Sequence, residues 1–356
     1  MRLLPGTNRF RGALVIPALI AAAVTLAACG GSDEDATTTT SANAAPSESE
    51  PVTVYLGRHY GIEPVFEEFT EATGIPVEFT TGKDPELRER LVVEGENTPA
   101  DLFIAADAGN LAMAADAGVL APTESPILDE AVPENLRASD GEWYGLSVRA
   151  RTIFTSDERV EPADVPADYA ALGDPQWKDR LCLRPATHPY TQSLVSSLIA
   201  NEGEERATEI VESWMANNPT FIDSDTEILQ AISADVCDVA LANSYYLGRL
   251  VEDEGAQPIR ISWPEGGSGV HVNVSGGGVT ANAGNPEGAL ALLEWLATDG
   301  QRSFADVNFE YPVNPEFEPR TELVEFGDFT MDPIAVERFG ELQPDAVRLL
   351  DRAGSQ

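Results

Sequence analysis

Short β-type runs alternate with amphipathic helical runs from residue 51 onward, and this alternation most constrains the fold. Val52–Leu56 and residues 77–80 have strand character, and the apolar positions within 62–72 recur at helical spacing. Gly74 follows that run, as glycine commonly does at a helix end. A further helix, strand and helix continue the series. A βαβαβα order predicts an α/β fold with a mostly parallel sheet and helices on both faces.

A second α/β series occupies the next part of the chain, and two long extended runs separate the two series. Helical patterns at 204–217 and 226–234 enclose a strand at 220–222. The extended runs lie at 145–155 and 270–280. Two extended crossings between two α/β units predict two lobes joined by a two-strand hinge. The predicted boundaries are lobe 1 at 51–149 plus 272–322, and lobe 2 at 150–271 plus 323–356.

The start of the chain has the features of a bacterial lipoprotein signal. Three arginines precede an apolar run at 12–28, and small residues lead to Cys29. We therefore predict a signal segment at 1–28 and a lipid on Cys29 that anchors the protein to the extracytoplasmic face of the cell membrane. Residues 29–50 contain almost nothing that could be buried and are predicted to form a disordered tether.

The charge of the protein excludes one class of partner. Lys and Arg number 22 against 60 Asp and Glu, which gives a formal net charge of -38. Such a surface repels nucleic acid, so nucleic acid is not an expected partner. We interpret the acidity as a solubility device, with adaptation to salt as the alternative, and it is not in itself evidence for a metal site.

Cys182 and Cys237 are the cysteines that remain beyond Cys29. Because an exported protein matures where disulfides persist, the two are predicted to pair. In the chain-entropy model, a closed loop of this length stabilises a fold by at most about 4 kcal/mol.

Two adjacent pairs of ring side chains occur near strand ends, where α/β sheets place their ligands. Tyr245 and Tyr246 lie between a predicted strand at 238–242 and a helix, and side chains about 100° apart at a helix start can converge on one ligand. His59 and Tyr60 follow the first strand of the other lobe. Taken singly, a tyrosine pair more often packs in a core and a lone histidine more often serves a loop. Their shared position at predicted cleft edges favours a joint site.

Three phenols and one imidazole suit a hard trivalent cation. A phenolate is a hard anionic oxygen ligand, whereas zinc favours Cys and His and calcium favours a carboxylate loop. As phenolates, Tyr60, Tyr245 and Tyr246 carry three negative charges, which match Fe(III), and neutral His59 is a fourth donor. Phenols must lose protons with pKa values of about 10, so binding is predicted to weaken as pH falls.

Several segments, taken in order, carry a family resemblance: VTVYLGRHY, TGIPVEF, NTPADLFIAADAGNLAMAADAGVLAP, WYGLSVRAR, CDVALANSYYLGRL, HVNVSGGGVTANAGNPEGALALLEWLA and FEYPVNP. The chain resembles the ferric-iron-binding proteins of bacterial iron ABC importers, in the tyrosine-rich branch of the type II periplasmic binding protein superfamily. The resemblance implies the two-lobed fold of that superfamily. It also implies that the protein is a monomer, binds Fe(III) and delivers it to an inner-membrane ABC permease. It also implies four metal ligands: His59, Tyr60, Tyr245 and Tyr246.

The chain departs from that family at one ligand position. The tyrosine-rich branch usually places another tyrosine a few residues after the RAR segment, where Thr155 stands, and the other branch has a carboxylate where Ala106 stands. The resemblance then implies water or a small anion such as carbonate as an added ligand, or a loop shift that brings in Asp107. Three arginines could balance an anion, or could pair with the protein's own carboxylates: Arg58, Arg149 and Arg151.

Two alternatives to an iron receptor remain open from the sequence. A receptor of the same fold could bind a polyamine, thiamine or an oxyanion, because a fold does not determine its ligand. An exported enzyme is disfavoured, since the sequence has no GxSxG elbow, no HExxH motif and one histidine at the predicted cleft.

Tyr144 and Tyr190 are interpreted as packing residues or as supports for the metal ligands.

Overall fold

The computed structural model describes residues 50–57 and 61–354. The predicted signal segment lies outside these ranges, and so do four residues of functional interest: Cys29, Arg58, His59 and Tyr60. Among the described helices, none has the length and apolar character that crossing a membrane requires.

The described part of the chain forms one ten-stranded sheet. Its strands are β1 Val52–Leu56, β2 Val77–Thr81, β3 Leu102–Ala105, β4 Tyr144–Ser156, β5 Leu181–Leu183, β6 Thr220–Phe221, β7 Val239–Asn243, β8 Ile259–Ser262, β9 Val272–Val279 and β10 Tyr311–Pro312. The strand order is β2-β1-β3-β9-β4-β7-β5-β6, and β8 and β10 each pair with β4. The mixed sheet confirms the predicted α/β class. The sheet is less parallel than predicted, because every pairing of β4 and β9 is antiparallel.

Helices flank the sheet, and local sequence explains their ends. They are α1 Glu63–Thr73, α2 Asp84–Glu94, α3 Ala108–Asp116, α4 Pro126–Ala131, α5 Pro189–Glu202, α6 Glu204–Ala216, α7 Asp225–Ser233, α8 Ser244–Glu254, α9 Pro286–Ala297, α10 Gln301–Val307, α11 Thr321–Val324 and α12 Arg338–Arg352. In α1, Pro64 stands in the first turn, and Gly74 ends the helix at φ 76° while donating its N–H to the Thr70 carbonyl. The left-handed φ explains the glycine.

Strand β4 belongs to both α/β units and changes partner at one point. Ala150 pairs with Val272 of β9, and the next residue, Arg151, pairs with Asn243 of β7. We call the unit with β1, β2, β3 and β9 the first lobe, and the unit with β5, β6 and β7 the second lobe. The extended run predicted at 145–155 is therefore a crossing strand, as the two-lobed prediction required.

Each lobe has its own apolar core, and the last helix contacts both. The first core contains Phe103 and the second contains Trp214. Helix α12 contributes Phe339 to the first core and Leu349 to the second, with Pro344 between them. The end of the chain thus links the lobes at a further place besides the crossing strand β4.

The predicted disulfide is confirmed. Cys182 of β5 is bonded to Cys237, which lies two residues before β7, and their Cα atoms are 5.9 Å apart. Both residues are buried. The bond ties the starts of two neighbouring strands of the second lobe together.

Candidate metal centre

Helices α5 and α8 begin side by side because the strands before them are parallel neighbours in the sheet. β5 pairs with β7 in parallel. Parallel strands present their carboxyl ends at one edge of a sheet, where α/β proteins hold ligands. Tyr190 is the second residue of α5, and Tyr245 is the second residue of α8. Both tyrosines therefore lie at the same edge.

Tyr245 and Tyr246 occupy the first turn of α8, at the strand–helix junction that the sequence predicted. Their ring centroids are 4.2 Å apart, and the ring planes are inclined by 31°. Tyr245 is buried and Tyr246 is half-buried. The two rings therefore pack against each other in the first turn of the helix, as adjacent side chains at a helix start can do.

Tyr190 lies beside Tyr245, although the sequence analysis did not include it among the candidate ligands. Its hydroxyl lies 3.1 Å from the hydroxyl of Tyr245, which is 55 positions away in the chain. The interpretation of Tyr190 as a packing or supporting residue was made without β5, a strand of only three residues with no readable pattern. Tyr245 was chosen because it follows the carboxyl end of a strand. Once β5 is known, Tyr190 meets the same criterion.

Three buried guanidinium groups surround the Tyr190 ring. The Cζ atoms of Arg149, Arg151 and Arg184 lie 5.2, 5.9 and 5.8 Å from the ring centroid. Each of these side chains is at most 6% exposed. Cations over an aromatic face are attracted to it, and in a desolvated site they also stabilise an anionic oxygen.

Asp225 pairs with two of the three arginines. Nη1 of Arg151 donates to Oδ2 of Asp225 at 3.0 Å. Nε of Arg184 forms an ion pair with Oδ1 at 3.5 Å, without hydrogen-bond geometry. The expectation that Arg151 would balance an exogenous anion is therefore not supported, because its guanidinium is committed to a carboxylate of the protein.

Arg149 differs from Arg151 and Arg184 in its hydrogen bonding. None of its three side-chain nitrogens has a hydrogen-bond partner in the described part of the chain. Burial acts to lower the pKa of Arg149, but the nearby side-chain oxygens of Tyr190, Glu310, Tyr245 and Asp107 outweigh burial and raise it. A buried guanidinium without hydrogen bonds is costly, so this one is suited to a negatively charged ligand set.

Asp107 is committed to structural hydrogen bonds. Its carboxylate caps α3 by accepting from the backbone N of Asn110, and it accepts from Nδ2 of Asn273 at 2.9 Å. Burial raises the pKa of Asp107, although the charge of Arg149 acts to lower it. The alternative in which Asp107 replaces a missing ligand is thus not supported.

Thr155 lies at the far end of β7 from the tyrosines. It pairs with Val239 at the start of β7, whereas Arg151 pairs with Asn243 at its end. At about 3.3 Å per residue, these positions are separated by about 13 Å along the strand. The prediction that Thr155 occupies a vacant ligand position is wrong, because β4 runs away from the cleft after Arg151.

Two histidines lie near the site in addition to the predicted His59. Nδ1 of His188 accepts from the backbone N of Tyr190 at 3.2 Å, and the two rings pack 4.4 Å apart. Nε2 of His271 lies 2.9 Å from Oγ of Ser193. Burial, reinforced by nearby arginines, lowers the pKa of both histidines to about 3, so both are neutral at pH 7. The expectation of a single histidine at the cleft was wrong. His188 and His271 are distant in the chain from the segments that the sequence analysis assigned to the cleft, and the fold brings them to it.

A small cavity lies among these groups. It is lined by Arg149, Arg151, Tyr190, Ser193, Asn243, His271 and Asn273. Within residues 50–57 and 61–354, no group of three or more His, Cys, Asp or Glu side chains could hold a metal ion. The clustered phenols are the candidate donors that the described residues offer.

The fold and the cavity at the strand ends define a two-lobed solute-binding protein. Residues 65–334 match the family model of bacterial extracellular solute-binding proteins. Iron uptake protein A2 of Synechocystis sp. PCC 6803 is 39% identical over 324 residues, which cover 88% of this chain and 92% of that protein. The chain therefore belongs to the bacterial extracellular solute-binding proteins, in the group that contains the ferric-iron-binding proteins, and the resemblance seen in the sequence is confirmed.

Solved structures agree with this membership. Trichodesmium FutA (IdiA) in complex with iron and citrate aligns with a TM-score of 0.82 at 37% identity, over 86% of this chain and 100% of that chain. Ferric iron-binding protein A of Mannheimia haemolytica, in an open conformation, aligns with a TM-score of 0.81 at 32% identity, over 86% of this chain and 98% of that chain.

Proposed function

We propose that this protein binds one Fe(III) ion between its lobes through tyrosine phenolates and a histidine. The observation that carries the proposal is the 3.1 Å separation of the Tyr190 and Tyr245 hydroxyls. Two oxygens held about 2 Å from a small cation lie about 3 Å apart, so these two have the spacing of neighbouring ligands. The names of the relatives, which refer to iron uptake and ferric iron binding, support the same ion.

The proposed ligand set extends the one expected from the sequence by one residue. Tyr190, Tyr245 and Tyr246 act from the second lobe, and His59 and Tyr60 act from the first. Tyr190 supplies the tyrosine that the resemblance required and that Thr155 could not supply. A six-coordinate ion would keep one position for water or a small anion.

A charge count connects Arg149 to this ligand set. Four phenolates around one Fe(III) ion leave a single negative charge unbalanced. The buried guanidinium of Arg149, without a hydrogen-bond partner among the described residues, supplies the balancing positive charge. Arg151 and Arg184 share one carboxylate, that of Asp225, and so leave further positive charge. Either water or a small anion such as carbonate is therefore compatible with the remaining position.

The proposed role is that of an importer receptor. A lipid on Cys29 would hold the protein at the extracytoplasmic face of the membrane, and the closed lobes would present the ion to an inner-membrane ABC permease. The protein acts in this proposal as a monomer and as a binding protein rather than an enzyme. In this proposal the lobes keep the boundaries expected from the sequence, except that Val270 and 329–339 are assigned to lobe 1. The packing of Val270, Val336 and Phe339 in the first core supports this assignment.

A ferric titration tests the proposal. Fe(III)–phenolate centres absorb visible light, so the metal-free protein should become coloured when ferric nitrilotriacetate is added. Tyr245→Phe should weaken the absorption band. Tyr55→Phe is the matched control, because Tyr55 is another buried phenol, hydrogen-bonded to Glu94 in the first lobe. A colourless wild-type protein with no gain in thermal stability would contradict the proposal and favour a polyamine, thiamine or oxyanion as the solute.

A further inference from the structure

Three groups of the second lobe converge on Asp225, a carboxylate outside the proposed ligand set. Asp225 is fully buried and is the first residue of α7. A carboxylate in the first turn of a helix is stabilised by the helix dipole. The converging groups are the backbone N of Asn243, Nη1 of Arg151 and Nε of Arg184.

One branch from Asp225 leads to Tyr245. Oδ2 of Asp225 accepts from the backbone N of Asn243 at 3.1 Å, and Asn243 is the residue immediately before α8. No side chain from the described residues provides an N-cap hydrogen bond to α8. The contact from Asp225 therefore helps to define the strand-to-helix turn that directs Tyr245 into the site.

A second branch leads to Tyr190 through two side chains. Arg184 forms the ion pair with Asp225 and also contacts Nε2 of His188. His188 in turn packs its ring 4.4 Å from the ring of Tyr190 and accepts a hydrogen bond from the backbone N of Tyr190. Asp225 thus supports both tyrosines whose hydroxyls lie 3.1 Å apart.

A third branch leads to the crossing strand. Arg151 is the residue at which β4 exchanges β9 for β7, and its backbone N donates to the carbonyl of His271 at 3.0 Å. Its guanidinium is held by Asp225 and contacts Oδ1 of Asn243 at 3.3 Å. The same carboxylate therefore connects the crossing between the lobes with the start of α8.

We propose that Asp225 is a positioning residue that sets the separation of the Tyr190 and Tyr245 oxygens for the metal, an inference that rests on the proposed function. Asp225 does not touch the ion in this proposal. Without its negative charge, the Arg151 and Arg184 guanidiniums lose their counterion and the start of α8 loses an acceptor. Residues that support metal ligands typically contribute about 10–100-fold to metal affinity, and a loss in that range is expected here.

Asp238 provides a matched control at the other end of β7. It lies immediately before the strand and, like Asp225, receives two arginine side chains, those of Arg159 and Arg180. It belongs to the same lobe but is separated from the tyrosines by the length of the strand. Both variants lose a carboxylate that pairs with two arginines, so the comparison separates that loss from a positioning role at the tyrosines.

The test compares Asp225→Asn with Asp238→Asn in the whole protein, using ferric nitrilotriacetate. For Asp225→Asn, we expect iron affinity to fall about 10–100-fold and the visible band to shift, because the phenolate geometry changes. For Asp238→Asn, both readouts should match those of the wild type. A folded Asp225→Asn protein with wild-type affinity and an unshifted band would overturn the inference.

A second variant decides the question if Asp225→Asn does not fold. Arg184→Gln interrupts the branch to Tyr190 and leaves the Arg151–Asp225 pair intact. It should shift the band and lower affinity, and wild-type behaviour of this variant would overturn the inference. If the wild-type protein itself gave no visible band with ferric chelate, the proposed function would fail. If the wild-type protein gave the visible band and the variant matched it in band and affinity, only the positioning role of Asp225 would be refuted.

Discussion

The two ends of strand β7 contain the same pairing of one carboxylate with two arginines, in two different settings. At the start of the strand, Asp238 meets Arg159 and Arg180, whose side chains are 25% and 39% exposed. Beyond the end of the strand, Asp225 meets arginines that are at most 6% exposed, and a further buried arginine, Arg149, has no hydrogen-bond partner among the described residues. At the start of the strand, Arg159 also pairs with Asp235, so carboxylates and arginines are equal in number. The arrangement beyond the end retains positive charge beside tyrosines.

This difference indicates that the start of β7 contributes to stability, whereas the region beyond its end contributes to the proposed metal site. The start of β7 is also tied to β5 by the bond between Cys182 and Cys237. The same parallel pairing that brings the cysteines together brings Tyr190 and Tyr245 together at the other end. We therefore expect changes at the start to affect stability and changes at the end to affect metal affinity.

The largest effect is expected from removing the disulfide. Replacing Cys182 and Cys237 together by serine should lower the free energy of unfolding by up to about 4 kcal/mol, because the unfolded chain regains the entropy of a closed loop. Denaturant unfolding measures this loss. The folded variant should still show the visible ferric band, and loss of that band would contradict the division between the two ends.

The next effect concerns Tyr190. Tyr190→Phe should lower ferric affinity by at least about 100-fold, or about 2.7 kcal/mol, because a ligand is lost rather than a supporting residue. Competition with a ferric chelator measures the change. Tyr144→Phe is the control, because the sequence interpretation treated both tyrosines alike and the Tyr144 hydroxyl instead donates to the Thr123 carbonyl. Equal ferric affinities of Tyr190→Phe and Tyr144→Phe would argue against Tyr190 as a ligand.

A smaller and pH-dependent effect is expected at Asp238. Burial acts to raise the pKa of this carboxyl, but hydrogen bonds from Arg159 and Arg180 outweigh it and lower the pKa. The ionised group therefore contributes stability above its unfolded pKa of about 3.9, and this contribution disappears as pH falls through the lower folded value. Asp238→Asn should cost about 1–3 kcal/mol at pH 7. Unfolding at pH 7 and pH 3 should show the difference from wild type shrinking in acid, and an equal difference at both would contradict the assignment.

The smallest effect is expected at Thr155. Its Oγ1 is buried without a hydrogen-bond partner in the described part of the chain, so Thr155→Val replaces an unsatisfied hydroxyl by a methyl group. Stability should stay unchanged or rise by up to about 1 kcal/mol, and ferric affinity should stay within about twofold. Isothermal titration with the ferric chelate measures this, and a large loss of affinity would return Thr155 to the site.

Much of the fold was predictable, because hydrophobic period and helix-end residues act over short distances. The extended run at 145–155 became β4, and the junction before Tyr245 was placed correctly. Tyr190 was not predictable in the same way. The strand before it has three residues, too few to show a period, so its place at a strand end was hidden.

The sequence by itself determined the α/β class, the disulfide partners and one adjacent tyrosine pair at a strand–helix junction. Only the tertiary structure decided that Tyr190 meets Tyr245, that Asp225 rather than an anion pairs with Arg151, and that Thr155 lies elsewhere. The physical reason is that these outcomes depend on the parallel pairing of β5 with β7 and on burial. That pairing brings together Tyr190 and Tyr245, which are 55 positions apart in the chain, and local pattern contains no information about it.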